Sequence, residues 1–424
     1  MSLHKNTIGW PIIAAIGVSI VVAGQFSGWN YGLAYGWLNM AIATAVMCVF
    51  YAGLLQCVSE LSATWPSAGG LGTYVSMAFG ERLGGFVSVA MALALIACVG
   101  AVATFIVSYA ASIVAIDPLL LKLVVFTAVI VLHLRGAKDA LWLTLVVGLI
   151  AVATLLGFSV GVLPTFKASN LSIELGSISV GGIIHAIPFA LWLYVGVEQT
   201  ITASEETKVP GRDVPRGLAI ALLVLTLTSF SVLFAAPGAG GVEAIANAGD
   251  PLLEALGKAS GGTSGLATWI GIGALLGLIA SFFSITYSAS RQVYDLARGG
   301  FLPSAMSWVN TRGTPVLAVF AVAVAGFSLS LVSPERVLLG VVLLFTSSYL
   351  LTICAFLRLR HTRSKEQRSY RAIGGTATAY LTLALSIAVL ACSFKLDVLI
   401  LVPIAVLFIL TSVCRRWGRL SISQ

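Results

Sequence analysis

What this 424-residue chain has least of is charge. Asp, Glu, Lys and Arg together make up 9% of it. A soluble domain carries roughly 25%, so the body of the protein is not built to face water. Histidine is scarce, with 4 in the chain, and none of them stands at metal-ligand spacing from another. A membrane enzyme would need a metal cluster or a nucleophile–base pair, and the scattered histidines supply neither. No metal site and no cofactor is therefore expected. The six cysteines, at positions 48, 57, 98, 354, 392 and 414, include no CxxC spacing. That argues against both a disulfide framework and a zinc site. Five of them sit inside apolar runs and read as small packing residues. No polar stretch is long enough for a soluble domain, the longest being Arg358 to Arg371.

What is present is apolar sequence. Hydrophobic residues make up 58% of the chain and the mean hydropathy is +1.01. Long uninterrupted runs exclude a transmembrane barrel, which would show ~10-residue alternating segments. Runs of about 20 residues match a hydrocarbon core ~30 Å thick. Twelve such spans are expected, at 10–35, 38–62, 84–115, 118–134, 140–163, 181–203, 217–236, 265–292, 315–333, 335–357, 374–393 and 397–413. Asp117-Pro118 divides the third from the fourth, because proline disfavours helix in the residue before it. The first run, Ile8 to Val22, continues into a spanning segment without a small-residue cleavage site, and reads as a retained helix.

The net charge of +8 could mark a nucleic-acid surface, but its distribution argues otherwise. With the N-terminus cytoplasmic, only Lys122, Lys167, Lys258, Arg336 and Lys395 fall outside. The remaining 19 of the 24 Lys and Arg fall inside. This is the positive-inside pattern of a protein with an even number of spans and both termini in the cytoplasm. Glu60, at the inner end of span 2, reads as the partner of a loop arginine. The basic stretch 358–371 reads as a topology signal that touches anionic lipid headgroups. The loop 237–264 reads as a lid or a linker, the linker being favoured, with a short helix around Pro251 to Lys258.

Two spans are interrupted. In span 1, Gly24-Gln25-Phe26-Ser27-Gly28-Trp29-Asn30 intrudes at mid-membrane depth. Either the helix unwinds here and exposes backbone groups, or the small residues permit a close helix crossing. In span 6, Tyr194-Val195-Gly196-Val197-Glu198-Gln199 repeats the theme around a lone carboxylate. An intramembrane acid costs about 2.5–3.5 kcal/mol on insertion scales and marks a cavity, partner or ion path. Spans 1–5 (residues 1–163) and 6–10 (181–357) form two halves of odd span number, so they are inverted relative to one another. Matched interruptions in inverted halves point to a transporter's midplane site. Spans 11 and 12 (374–413) lie outside the repeat, followed by a tail, 414–424.

Several motifs carry a resemblance. GQFSGWN (24–30), ELSATWPSAGGLGTYVSMAFG (60–80), LWLYVGVEQ (191–199), SEETKVPGRDVPRG (204–217) and RQVYDLARGGFLP (291–303) together resemble the amino acid–polyamine–organocation superfamily of secondary transporters. Within it, SGWNYGL and PFALWLYVGVEQ look most like the bacterial ethanolamine permease branch. Some members of that branch carry an acid where Gln25 stands. The resemblance implies an all-α protein of the inner membrane, with helices 1 and 6 broken. It would carry a small amine or amino acid by alternating access, with an ethanolamine-like substrate favoured and a neutral amino acid symporter or exchanger as the alternative. A channel or membrane receptor is disfavoured by the paired breaks.

The resemblance also implies site residues. Gly24, Gln25, Phe26, Ser27 and Gly28 would bind the polar head of the substrate, with carbonyls near Tyr194, Val195 and Gly196 holding an ammonium. Trp192 matches an aromatic that closes over the substrate, and a ring face attracts a cation by about 0.5–2 kcal/mol. Glu198 matches an acid on a proton or gating path. Phe283, Thr286 and Tyr287 of span 8 are pocket candidates. Some relatives place a lysine within span 5 in place of sodium; here span 5 has none, and Lys138 lies just before it. Ser281, Ser284, Thr286 and Ser288 keep sodium open beside protons as the coupling ion. No nucleic-acid partner is expected.

Overall fold

A computed structural model describes residues 8–67, 69–135, 140–173, 175–260 and 265–394. Among them the chain is all-helical, with one isolated parallel bridge between Ile8 and Thr207. In chain order the helices are α1 (Trp10–Val21), α2 (Ala23–Phe26), α3 (Trp37–Thr64), α4 (Gly70–Phe79), α5 (Glu81–Ala111), α6 (Pro118–Arg135), α7 (Ala140–Gly161) and α8 (Val180–Trp192). They continue as α9 (Pro210–Gly240), α10 (Val242–Ala246), α11 (Pro251–Ser260), α12 (Gly265–Arg298), α13 (Val316–Leu329), α14 (Pro334–Thr362) and α15 (Gly375–Phe394). Tight 3-10 turns cover Trp29–Tyr35 and Val197–Glu206.

Among the described residues nine helical segments are long and apolar enough to cross a membrane, and α1 and α13 are shorter apolar helices. The expected spans of ~20 residues at 10–35 and 315–333 are thus shorter as helices. The first breaks after Val21, and the second begins only after Pro315. The expected twelfth span, 397–413, and the tail lie outside the described residues, as do Lys5, Lys138 and Lys395. The boundary at 117/118 stands where proline placed it. Pro118 opens α6, and Asp117 Oδ1 accepts from Leu120 N at 2.9 Å, satisfying a first-turn donor.

The packing is pairwise repeated. α1 lies on α9 and α8 lies on α3; α7 lies on α12 and α14 lies on α5; α1 meets α7 and α8 meets α14. Two short helices repeat the pattern at opposite ends, α10 against the 29–35 turn and α4 against the 197–206 turn. Lipid supplies no hydrophobic drive between helices, so close approach depends on small residues. Gly277 of α12 shows this: a methyl there would come within 2.7 Å of the Phe26 ring.

Each end of the bundle is fastened differently. At one end Glu60, fully buried, accepts from Arg368 Nη1 at 2.7 Å and from Ala372 N at 2.7 Å, with Arg360 Nε at 3.7 Å. The expected pairing of Glu60 with a loop arginine is therefore present. Arg363 and Arg368 lie over the Trp65 ring, whose indole N–H donates to Glu366 at 2.8 Å. At the other end, the loop after α9 is more than a linker. Asn30 Nδ2 donates to Ile245 O and Ala248 O, each at 2.9 Å, and Ser27 Oγ donates to Gly249 O at 3.0 Å. The helix expected around Pro251 is α11, and Asp250 before it takes a hydrogen bond from Ser112. Burial raises the Asp250 pKa above the ordinary aspartate value, and the Ser112 bond offsets part of that rise.

Candidate functional site

The two interruptions meet at the centre of the bundle. In the first helix the backbone ladder is cut between Ser19 and Ala23 and is bridged by a side chain from α12. Ser281 Oγ donates to Ser19 O at 2.6 Å and accepts from Ala23 N at 3.3 Å. Beyond α2 the chain extends at Ser27 and turns at Gly28, whose φ of 97° favours a residue without a Cβ. A methyl at Gly28 would also stand 2.6 Å from the Trp192 indole nitrogen. Both sequence readings of this stretch are thus present together: the helix is broken, and the break is a close crossing.

The carbonyls freed by the break are occupied by protein donors. Trp29 Nε1 donates to Gln25 O at 3.1 Å, Tyr109 Oη to Phe26 O at 2.8 Å, and Trp192 Nε1 to Ser27 O at 3.0 Å. Gly28 N donates to Asn30 Oδ1 at 3.0 Å. Ligand access to Ser27 O therefore requires Trp192 to give way. The Gln25 amide faces α9, donating to Leu225 O at 3.0 Å and Ser229 Oγ at 2.9 Å, while its Oε1 is buried without a partner.

The second interruption follows Trp192. Pro188 stands inside α8, and the helix gives way to a turn that ends at Gly196, with φ 99°. Glu198 is fully buried just beyond. Its carboxylate accepts from Gly196 N and Gln199 Nε2, each at 3.2 Å. No cation pairs with it among the described residues. A carboxylate so placed needs an arriving cation or a proton of its own.

Between the breaks lies a small cavity of about 20 Å³, room for roughly one water. Gly24, Trp192, Val195 and Gly196 line it, together with Cys98 of α5. Its remaining walls are apolar, among them Ile20, Leu95, Val102, Ile285 and Phe345. Trp192 meets the Phe105 ring edge-on at 6.4 Å and covers one side.

The structure brings together Gly24, Trp192, Val195 and Gly196 of the expected residues, and sets Phe26 through Gly28, Tyr194 and Glu198 around them. Phe283 and Thr286 do not line this cavity. Phe283 stacks on His133 of α6 at 4.1 Å, and Thr286 Oγ1 donates to Phe282 O at 2.7 Å. Ile285 is the cavity residue of that turn; a step of one or two positions on a helix swings the side chain by 100° or more. Tyr287 lies under the Arg291 guanidinium, 4.2 Å from its ring centre. Of the hydroxyls held open for sodium, Ser281 splints the break in the first helix and Ser284 donates to Ala280 O at 2.9 Å. Sequence reasoning missed Ser281's splint, Phe345 and the α5 wall. It also missed the pairing of Tyr51 and Tyr349, whose hydroxyls meet at 3.3 Å between α3 and α14. Asn30, by contrast, was visible as a polar residue inside GQFSGWN.

Comparison with known proteins gives a consistent result. A family model described as amino acid permease matches residues 8–414. An uncharacterized transporter of Rhizobium meliloti (strain 1021) is 28% identical, over 76% of this chain and 71% of its own length. A branched-chain amino acid permease of Lactococcus lactis subsp. cremoris is 24% identical, over 72% of this chain and 68% of its own. A methylthioribose transporter of Bacillus subtilis is 27% identical, over 64% of this chain and 63% of its own.

Proposed function

The chain belongs to the amino acid permease family, and from that premise we propose that it carries a neutral amino acid with an apolar side chain across the cytoplasmic membrane by alternating access. It is a multi-pass membrane protein of the transporter kind. The observation that carries the substrate reading is the cavity between the two breaks, whose walls are apolar apart from Cys98 and backbone. Those walls suit an apolar side chain once the cavity widens to admit one. The charged head groups fit the broken helices: a half-helix N-terminus favours a carboxylate, and freed carbonyls favour an ammonium.

The twelve-span, five-plus-five inverted architecture, with both termini cytoplasmic, belongs to the same proposal. The repeated packing supports it, since the α1–α9, α7–α12 and α1–α7 contacts have counterparts in α8–α3, α14–α5 and α8–α14. So does the gathering of Arg358, Arg360, Arg363 and Arg368 at the Glu60 end. Alternating access then means that the Glu60 end and the Asn30 end open in turn. Trp192 leaves Ser27 O when substrate enters, and Glu198 couples the cycle to protons.

A small amine such as ethanolamine is the second reading, favoured by the motif resemblance and by the Trp192 ring. No carboxylate lines the cavity to hold a lone ammonium. Uptake of labelled L-isoleucine, L-alanine, ethanolamine and GABA into proteoliposomes, with and without proton or sodium gradients, tests both. Isoleucine uptake above ethanolamine uptake is expected. Ethanolamine uptake alone would replace the first reading with the second, and no uptake or exchange of any of the four would sink both.

A further inference from the structure

We propose that the segment from Glu366 to Ile373 is a releasable strap across the Glu60 end, and that Arg360 takes over the Glu60 carboxylate when the strap lifts. The inference rests on the alternating-access reading, in which that end opens. The segment joins α14 to α15 and is tied to the last turns of α3. Trp65 Nε1 donates to Glu366 at 2.8 Å, and Arg368 Nη1 donates to Glu60 Oε1 at 2.7 Å. Ser369 Oγ donates to Ala63 O at 2.6 Å. Gln56 Oε1 accepts from the Tyr370 hydroxyl and, at 3.0 Å, from Ile373 N. Glu60 Oε2 accepts from Ala372 N at 2.7 Å. What the segment lacks is apolar burial, since Ala372 alone of its residues is buried. Segments held by polar bonds over little apolar area open locally more readily than packed helices. The strap also ends on a hinge. Gly374 and Gly375 are consecutive left-handed residues, at φ 73° and 57°, a conformation that glycine enters and leaves without a Cβ penalty.

Release of the strap alone would strand Glu60, and an unpaired buried charge is costly. Arg360 answers this. It belongs to α14 and not to the strap, and its Nε lies 3.7 Å from Glu60 Oε1, beyond hydrogen-bond range. Its Nη1 is buried without a hydrogen-bond partner among the described residues. That nitrogen sits against the hinge, for a methyl on Gly375 would stand 2.8 Å from it. The closed form therefore leaves Arg360 incompletely used, beside a carboxylate already filled by Arg368 and the Ala372 N–H. Once those two donors leave, both oxygens of Glu60 are open to the Arg360 fork, the geometry in which a guanidinium binds a carboxylate most strongly. The carboxylate is handed from the strap to α14, and the buried charge keeps a partner throughout.

Hydrogen exchange in the purified full-length protein tests this without requiring transport. The Ala372 and Ile373 amides, read in a peptide spanning the strap, should exchange faster than the amides of α3 and α14 beside them. Arg368→Gln removes a bond of the closed strap and should speed their exchange by at least about tenfold, the worth of one hydrogen bond to a charged group. Arg360→Gln should act in the opposite direction and slow it by about tenfold, because release then leaves Glu60 alone. Arg360→Lys, which keeps the charge but not the fork, should lie between wild type and Arg360→Gln. If Arg360 were only a second static grip, both glutamine variants would speed exchange. Faster strap exchange in Arg360→Gln or Arg360→Lys, with the protection of α3 and α14 unchanged, would therefore overturn the inference, as would wild-type strap amides protected as well as those helices. Uptake gives a second measurement. Ala63→Cys and Ser369→Cys, introduced together in a background without the native cysteines and joined by a short reducible crosslinker, should stop L-isoleucine uptake until reductant is added. Full uptake by the crosslinked protein would overturn the strap's release. Slowed exchange in Arg360→Gln of a protein that carries none of the four labelled compounds would uphold the handover and refute the permease reading.

Discussion

The Glu60 end and the Asn30 end fasten opposite ends of the bundle with different chemistry. At the first, a fully buried carboxylate is gripped by two guanidinium groups and a backbone N–H. At the second, neutral Asn30 and Ser27 side chains donate to backbone carbonyls of the loop after α9. Removing one partner of a buried ion pair costs about 3–5 kcal/mol, whereas a neutral hydrogen bond contributes about 0.5–1.5 kcal/mol. A transporter whose two gates differ in this way opens more readily at the neutral one. In the proposed cycle the charged end is then the firmer closure.

The comparison can be broken at either end. Glu60→Ala strands Arg368 and Arg360 and should lower stability by about 3–5 kcal/mol; a thermal unfolding midpoint within 2 °C of wild type, roughly, would show that the charged closure is weak. Gly28→Ala puts a methyl against the Trp192 indole at positive φ. Strain of about 1–3 kcal/mol is expected, with uptake reduced at least about tenfold, because the crossing must shift. Wild-type uptake in that variant would mean that the crossing is not part of the working cycle.

Asn30→Ala leaves carbonyls of the loop without their donor, worth about 1–3 kcal/mol. It should favour the form open at that end and speed the labelling of Cys98 by an impermeant maleimide, read against a Cys98→Ser control. Faster Cys98 labelling in Arg368→Ala than in Asn30→Ala would reverse the ranking of the two ends. The smallest effect is expected at Asp250, whose pKa burial raises. Its folded form holds a proton more readily than the unfolded chain. This stabilising contribution is full below the ordinary value of 3.8 and is lost as pH rises through the raised one. Asp250→Asn should flatten the fall in unfolding temperature between pH 4 and 6 by about 1 °C. An unchanged slope would remove Asp250 from the fastening of the loop.

The sequence disclosed the breaks but not the surfaces. Gly24, Gly28 and Gly196 were legible because glycine beside polar residues in an apolar run has few other uses in a membrane. Glu198 was legible because its insertion is costly. Which face of α12 meets the cavity was not legible: that helix is apolar on several sides, and Phe283, Ile285 and Thr286 are equivalent until neighbours are placed. Tyr349 and Tyr51 were invisible for a related reason. They lie 298 positions apart in the chain, and only the packing of α14 beside α3 brings their hydroxyls together. The Ser281 splint is likewise a property of two helices and not of either alone.

The small size of the central cavity has one further consequence. A space for about one water, walled mostly by hydrocarbon, is an electrical insulator. A space so small offers no continuous water path for an ion through the centre of the bundle. On the proposed permease reading, an ion would cross only in step with a movement of Trp192 and the two crossed breaks, and current through the protein would register turnovers, not leakage.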